Sequence, residues 1–266
     1  MLNMSKVLDI LAAQLNPVVG DIDGNLALAR EAHAEARVRD ADLLVLSELF
    51  ILGYPAEDLV LKTSAVDLSM AAVMALAEET VDGPAILIGC PWTVDGKVHN
   101  SSVLLQAGKV AGRCDKRELP NYGVFDEKRI FAAGEGAPFV FTLKGVKVGV
   151  AICEDIWFDR VPLALKSAGA QMLVVPNGSP WRRTVHEERH STFSAWRKTG
   201  LPYLFVNQVG GQDELVFDGS SYAVDDDGTE HQLLGDFETG TAMVSFDGAT
   251  GSFQSGPKET LTTGWE

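Results

Sequence analysis

The sequence predicts a layered α/β fold, and three observations carry that expectation. Short apolar runs of strand length alternate with longer stretches whose apolar residues recur at helical spacing, the pattern of sheets covered by helices. The length, 266 residues, suits one large domain that buries most of its unfolded surface. Apolar residues make up 46% and charged residues 22% of the chain, ordinary globular proportions that exclude a disordered scaffold.

Residues 7–14 (VLDILAAQ) read as the first strand and 24–39 as the first helix, with Asn25 placed to cap it. Strand 42–48 and helix 65–80 follow, then strands 85–90, 101–106 and 110–116, the last two joined by a hairpin turn at 106–109 (QAGK). Strand 146–153, helix 160–169 and strand 171–176 come next. Helix 185–199 ends before Gly200, a left-handed stop. Strands 203–208, 216–224, 230–235 and 242–246 complete the pattern. No linker, repeat or low-complexity stretch intervenes. Residues 1–250 therefore read as one domain, and the polar, Gly/Thr-rich residues 251–266 as a C-terminal tail or linker remnant.

The formal net charge is −15, from 37 acidic against 22 basic residues. That balance repels a phosphate backbone and an anionic membrane surface, and no apolar run approaches the ~20 residues of a spanning helix. Nucleic acid and membrane are excluded as partners. The N-terminus, MLNMSK followed by VLDILAAQL, has no charged n-region, long apolar segment or cleavage site for export. Cys90, Cys114 and Cys153 are too few and too scattered for a disulfide framework, and an odd count suits a reducing cytosol. A cytoplasmic location is expected. The sequons at Asn3, Asn100 and Asn177 carry no weight without secretion.

Three buried runs stop abruptly at polar residues. LLVL at 43–46 runs into Ser47 and Glu48, VKVGVAI at 146–152 into Cys153, Glu154 and Asp155, and MLVVP at 172–176 into Asn177, Gly178 and Ser179. In sheets covered by helices, sites collect at such strand ends. Alternation within 146–153 places Lys147, Gly149, Ala151 and Cys153 on one face lined by small residues, leaving room above the thiol. Lys116 ends a strand whose alternation runs Val110, Gly112, Cys114, Lys116. The bland readings are a structural core cysteine and a solvated edge-strand lysine. Glu48 is harder to dismiss, because a carboxylate after LLVL is costly to bury without a partner.

Together the three residues make chemical sense. Only the thiolate is a good nucleophile, so an adjacent base or cation must activate it. Glu48 can take the proton, while Lys116 and the backbone amide of Glu154 can stabilise a developing oxyanion. Two other motifs point elsewhere. His186-Glu187-Glu188-Arg189-His190 matches the H-E-x-x-H zinc pattern, but its surroundings are charged all round and no third ligand follows at a recognisable spacing, so a solvated or interfacial helix is expected. Asp225-Asp226-Asp227-Gly228 lacks the alternating ligands of a calcium loop and reads as a hairpin turn.

Glu48 in SELFILGYPAEDLVLK, Lys116 in CDKRELPNYGVFDEKRIF and Cys153 in VGVAICEDIW resemble the nitrilase, or carbon-nitrogen hydrolase, superfamily. With PNGSPW and NQVGGQDELVFDGSS, these blocks are most similar to the glutaminase domain of glutamine-dependent NAD synthetases, collinearly from about residue 7 to 247. The resemblance implies a four-layer αββα sandwich. It implies Glu48 as general base, Lys116 as oxyanion stabiliser, Cys153 as nucleophile and Glu127 as an accessory carboxylate orienting the lysine and substrate. It also implies a glutamine pocket shaped by Tyr54, Tyr122, Phe125, Glu154, Ser179 and Arg182 or Arg183. Glu154 would pair with the α-ammonium, and Ser179 with an arginine would receive the α-carboxylate. No metal or organic cofactor is required. The implied partners are L-glutamine, a NAD synthetase domain or subunit that accepts the ammonia, and further copies of the chain in a homo-oligomer.

One departure stands out: the phosphate loop of an ATP-pyrophosphatase domain is missing, and GGQDE at 210–214 is not that motif. A truncated or excised glutaminase half, a separate ammonia-supplying subunit and a free-standing amidase acting on another small amide all fit. From a different class, a catalytically silent assembly or regulatory domain would keep the fold without turnover.

Overall fold

The computed structural model describes residues 7–192 and 199–255. In β1 (Val7–Gln14), Leu8, Ile10 and Ala12 turn to one side and Leu11 and Ala13 to the other, as the period of two requires. α1 (Ile22–Val38) is capped by Asp21, whose carboxylate accepts from the Gly24 N–H at 3.0 Å. Asn25, the expected cap, lies within the first turn. Its buried amide instead ties the helix to two loops, bonding the Val18 N–H and carbonyl at 2.8 Å each and the Ile51 carbonyl at 3.2 Å.

β2 (Leu43–Val45), α2 (Thr63–Glu78), β3 (Ala85–Val94), β4 (Lys97–Gln106) and β5 (Lys109–Asp115) complete the first half. The second half runs α3 (Glu127–Ile130), β6 (Val140–Leu143), β7 (Val146–Val150), α4 (Arg160–Ser167), β8 (Met172–Asn177), α5 (Val185–Thr192), β9 (Tyr203–Asn207), β10 (Val209–Gln212), β11 (Leu215–Asp218), β12 (Tyr222–Val224) and β13 (Glu230–Gln232). The chain closes with β14 (Gly240–Asp247) and β15 (Ser252–Ser255).

A seven-stranded sheet has the order β15-β14-β1-β2-β3-β4-β5, a six-stranded sheet the order β13-β12-β9-β8-β7-β6, and β10 and β11 form a separate ribbon. Between the two sheets lies a core in which Leu8, Ile10, Val45, Leu87 and Phe246 of the first meet Val146, Val148, Val150, Met172, Val174 and Leu204 of the second. Outside the first sheet, Leu26, Ala29 and Ala36 of α1 and Val73, Leu76 and Ala77 of α2 cover Leu11, Leu44 and Ile86. Outside the second, Val161 and Leu165 of α4 cover Leu173, Val175 and Phe205. The architecture is the expected four-layer αββα sandwich, with two inward faces of branched aliphatics whose burial stabilises by about 1.5–3 kcal/mol per side chain. Among the described residues, no helix is long and apolar enough to cross a membrane.

The structure differs from sequence expectation at further points. The alternation proposed for 110–116 is broken, because Leu104 pairs with Gly112 and Leu105 with Val110, which leaves Ala111 as an extra residue. Val110 therefore packs toward the helices while Cys114 faces the inter-sheet core. The strand expected at 216–224 is split by Gly219 and Ser220 at φ of 72° and 54°. Gly219 lies against Gln14, whose side chain a Cβ there would meet at 2.2 Å. The sheet reaches Ser255, beyond the boundary placed at 250. Of the helix expected at 185–199, Val185–Thr192 is helical, and residues 193–198 lie outside the described residues.

Candidate active site

At one end of the sandwich, strands of both sheets deliver polar side chains to a common point. After β2 the chain continues through Leu46, whose N–H donates to the Leu87 carbonyl at 2.9 Å, to Ser47 and Glu48. Leu49 then turns at φ 49°. The turn presses on Gly89 of β3, where a Cβ would lie 2.1 Å from the Leu49 nitrogen and 2.6 Å from the Ser47 oxygen. Only glycine permits that approach. The Glu48 N–H donates to the Asn177 carbonyl at 3.4 Å, joining the first sheet to the end of β8 in the second.

Glu48 is 1% exposed, and both of its oxygens are held. Oε1 accepts from Lys116 Nζ and from Asn100 Nδ2, each at 2.7 Å, and Oε2 accepts from the Gly178 N–H at 2.8 Å. Lys116, just past β5, is fully buried; its N–H donates to the Asn100 carbonyl at 2.8 Å. Its ammonium also donates to Glu127 Oε1 at 2.8 Å, and Tyr54 donates its hydroxyl to the same oxygen at 2.8 Å. Oε2 of Glu127 has no partner among the described residues. One lysine thus bridges two buried carboxylates. Burial pushes Glu127 up to about 7 against the pull of Lys116, and the negative Glu48 nearby adds to the rise. Burial alone would lower Lys116, but Glu127 and Glu48 outweigh it and hold the ammonium well above its ordinary value.

Cys153 opens a 3-10 turn, Cys153–Trp157, at φ 44°. That left-handed turn corrects the strand expectation. The strand ends at Val150, and Cys153 leaves the face shared by Lys147, Gly149 and Ala151 to join the inter-sheet side with Ile152. Burial and then the Glu48 charge push the thiol well above its ordinary range, while Lys116 pulls it down. Burial therefore favours the thiol, and forming the reactive thiolate calls for an acceptor for its proton. Cys90 and Cys114 are buried and free; burial raises both thiols, and the Asp155 and Asp115 charges add to the rise at Cys114.

The remaining expected residues are arranged unevenly. Tyr122 donates to both oxygens of Glu154 at 2.9 and 3.0 Å, and Phe125 meets the Tyr122 ring edge-on at 5.6 Å. A cleft of about 450 Å³, lined by Arg117, Tyr122, Lys128, Phe131, Glu154 and Phe158, opens beside them. Its size suits a small molecule. Burial raises the Glu154 carboxyl, and Tyr122 opposes the rise. Ser179 donates its N–H to Asn207 Oδ1 at 2.9 Å. Arg182 pairs with Glu188, and its charge is felt by Tyr122 and Glu154. Arg183 is exposed, and no contact among the described residues brings it to the cluster.

Four buried polar residues were given no site role by sequence reasoning. Asn100, noted only as a sequon and placed just before the strand expected at 101–106, is fully buried within β4 and bonds Glu48. Asp155 and Asn207 also lie fully buried. Arg189, read as part of a solvated helix, is 2% exposed; it grips both oxygens of Asp218 at 2.8 Å each and donates to Ser179 Oγ at 3.1 Å. His186, from the same H-E-x-x-H run, places Nε2 3.6 Å from both Asp218 Oδ2 and Asp236 Oδ2. These three residues could face one cation, but it would stand against the Arg189 guanidinium already bound to Asp218. The side chain of His190 lies outside the described residues. Residues 225–228 form the expected hairpin turn between β12 and β13, closed by the Gly228 N–H on the Asp225 carbonyl at 3.0 Å.

The carbon-nitrogen hydrolase family profile matches residues 10–254. A glutamine-dependent NAD(+) synthetase from Rhodobacter capsulatus is 40% identical over 251 residues, covering 94% of this chain and 45% of that protein. One from Thermotoga maritima is 40% identical over 228 residues, covering 84% and 39%. This chain spans less than half the length of these relatives. The glutamine-dependent NAD+ synthetase from Acinetobacter baumannii, solved with ADP, superimposes with a TM-score of 0.89 at 35% identity, over 96% of this chain and 48% of that one. A nitrilase-superfamily amidase from Nesterenkonia AN1 superimposes with a TM-score of 0.79 at 26% identity, over 93% of both chains. Profile, relatives and superposition agree, and the chain belongs to the carbon-nitrogen hydrolase family.

Proposed function

We propose that this chain is a glutamine amidohydrolase that releases ammonia through a thioester on Cys153. The observation that carries the reading is the buried Lys116 bridging Glu48 and Glu127, with the Cys153 thiol in the field of all three charges. Glu48 takes the thiol proton, and the sulfur adds to the γ-carboxamide carbon. Lys116 donates to the oxyanion, an interaction on the order of 3 kcal/mol for one donor. The proton passes to the amide nitrogen, the C–N bond breaks and ammonia leaves. Glu48 then deprotonates a water that attacks the thioester, and glutamate departs with the thiol restored. Glu127 orients Lys116. Glu154 faces the substrate's α-ammonium, Ser179 and Arg182 or Arg183 its α-carboxylate, and Tyr54, Tyr122 and Phe125 form walls.

The synthetase relatives, of which this chain matches under half, support a role in supplying ammonia to a NAD synthetase domain or subunit. A second reading, a free-standing amidase for another small amide, is favoured by the Nesterenkonia amidase, which this chain covers over 93% of its length. Glutamate release from glutamine by the purified chain, beside the same chain treated with a thiol-alkylating glutamine analogue, separates the two. Turnover that the analogue eliminates, with its mass at Cys153 and no turnover in Cys153→Ala, is the expected result. Hydrolysis of simple amides but not glutamine would favour the second reading, and turnover at the normal rate in Cys153→Ala would remove both.

A further inference from the structure

The Asp155 carboxylate is fully buried and accepts three backbone N–H groups from two separate segments. Oδ1 accepts from Arg117 at 2.9 Å and Glu118 at 2.8 Å, the first two residues after Lys116. Oδ2 accepts from Ile152 at 3.0 Å, the residue before Cys153. The first segment leaves the seven-stranded sheet, and the second follows the end of β7 in the six-stranded sheet. No backbone ladder joins these strands directly, because β5 and β7 belong to different sheets.

We propose that Asp155 is a positioning residue, a single carboxylate that sets the Cys153 turn and the chain leaving Lys116 in fixed register across the two sheets. The inference rests on the reading of Cys153 as the nucleophile. Each of the three amides needs an acceptor once buried, and an ionised carboxylate satisfies all three with its acceptor-only oxygens. An amide in its place keeps one acceptor oxygen and turns an N–H₂ donor toward either Ile152 or the Arg117–Glu118 pair. One of the two segments is then released. The left-handed backbone of Cys153 has its own conformational cost, so loss of the Ile152 anchor relaxes the turn that aims the sulfur.

Arg117 and Glu118, whose amides bond the carboxylate, are themselves charged residues. Burial pushes Asp155 up to about 6, while the three amides and the Lys116 charge pull it back. The Cys114 thiol feels Asp155 from the β5 side, and Glu154 is its chain neighbour within the turn. The carboxylate therefore takes up a proton as pH falls through about 6, and the clamp weakens on the acid side.

The test uses the full chain and Asp155→Asn. Three readouts apply: the rate of Cys153 alkylation by iodoacetamide, resolved by peptide mass; glutamine kcat and KM; and amide hydrogen-exchange protection of peptides covering 116–118 and 151–155, with β1 and β14 as controls. At pH 7.5 the variant is expected to lose roughly 10- to 100-fold in alkylation rate and kcat, as for a misplacement of about 1 Å. KM should change less than ~3-fold, and protection should fall in the two peptides and not in the controls. In the wild type, protection of both peptides should drop together as pH falls through about 6, a step absent from the variant. A folded variant with wild-type alkylation and kcat overturns the proposal, as does unchanged protection at the two segments. Should the variant not fold, the wild-type series decides: no common step near 6 overturns the proposal. If the wild type does not hydrolyse glutamine at all, the function proposed above fails, while alkylation and exchange still judge Asp155.

Discussion

Replacing Lys116 by methionine keeps the length and packing of the side chain but removes the cation that bridges Glu48 and Glu127. Its ammonium lies 2.7 Å from one carboxylate and 2.8 Å from the other, all within the protein interior. At an effective dielectric of about 20, each contact is an attraction of roughly 6 kcal/mol, set against several kcal/mol for desolvating the ammonium. Removing one partner of a buried pair costs about 3–5 kcal/mol, because the other charges are left uncompensated. For a chain of this size that corresponds to a fall in Tm of roughly 6–20 °C. The loss should depend on pH. Glu127 sits at about 7 against an ordinary value of 4.5, so the folded state binds its proton more tightly than the unfolded state, and stability falls as pH rises from 4.5 through 7. Without Lys116 the value climbs further, and the decline continues to higher pH. Thermal unfolding of wild type and Lys116→Met at about pH 6 and about pH 8.5 reads the difference. The deficit should be the smaller one at pH 6, where Glu127 is largely neutral. A deficit below ~1 kcal/mol, or one equal at the two pH values, would refute the bridged-carboxylate account.

The other expectations are narrower. Tyr54→Phe removes the hydroxyl that donates to Glu127 Oε1; it should cost about 1.5–3 kcal/mol above pH 7 and raise the Glu127 pKa, seen as an upward shift of that group's titration by NMR. Gly89→Ala drives a Cβ into the Leu49 and Ser47 backbone; since that backbone carries Glu48, glutamine turnover should fall by roughly 100-fold or more in steady-state assays. Tyr122→Phe removes the bond to Glu154 from a residue that is 51% exposed, so Tm should move by no more than ~2 °C while KM for glutamine rises several-fold.

Much of the layer order was legible because buried strands announce themselves as apolar runs ended by polar residues. Glu48 and Cys153 stood out for that reason, and Lys116 for its place at the end of an alternating strand. Their orientation did not. The extra residue at Ala111 and the positive φ at Cys153 each reverse a period-two count, and neither leaves a mark in composition. Asn100, Asp155 and Arg189 stayed hidden for another reason. Polar residues in half-exposed patterns default to solvent, and only tertiary contact shows that Asp155 meets Arg117 and Glu118, or that Arg189 meets Asp218. The cap moved from Asn25 to Asp21 because both are good capping residues and the surrounding loops decide between them.

The first sheet draws its strands from the two extremes of the described chain: β1 at residues 7–14 pairs with β14 at residues 240–247. During synthesis β1, β2 and β3 emerge early, but one edge of β1 has no partner until β14 is made. At about 5–20 residues per second, that edge waits on the order of 10–50 s while the whole second sheet is translated. An unpaired strand edge is a template for other chains, and pairing at such long separation is slow. The nascent chain that has emerged through β13 but not yet through β14 is therefore the species most exposed to misassembly, and expression yield should respond more to conditions that slow aggregation during translation than to the stability of the folded sandwich.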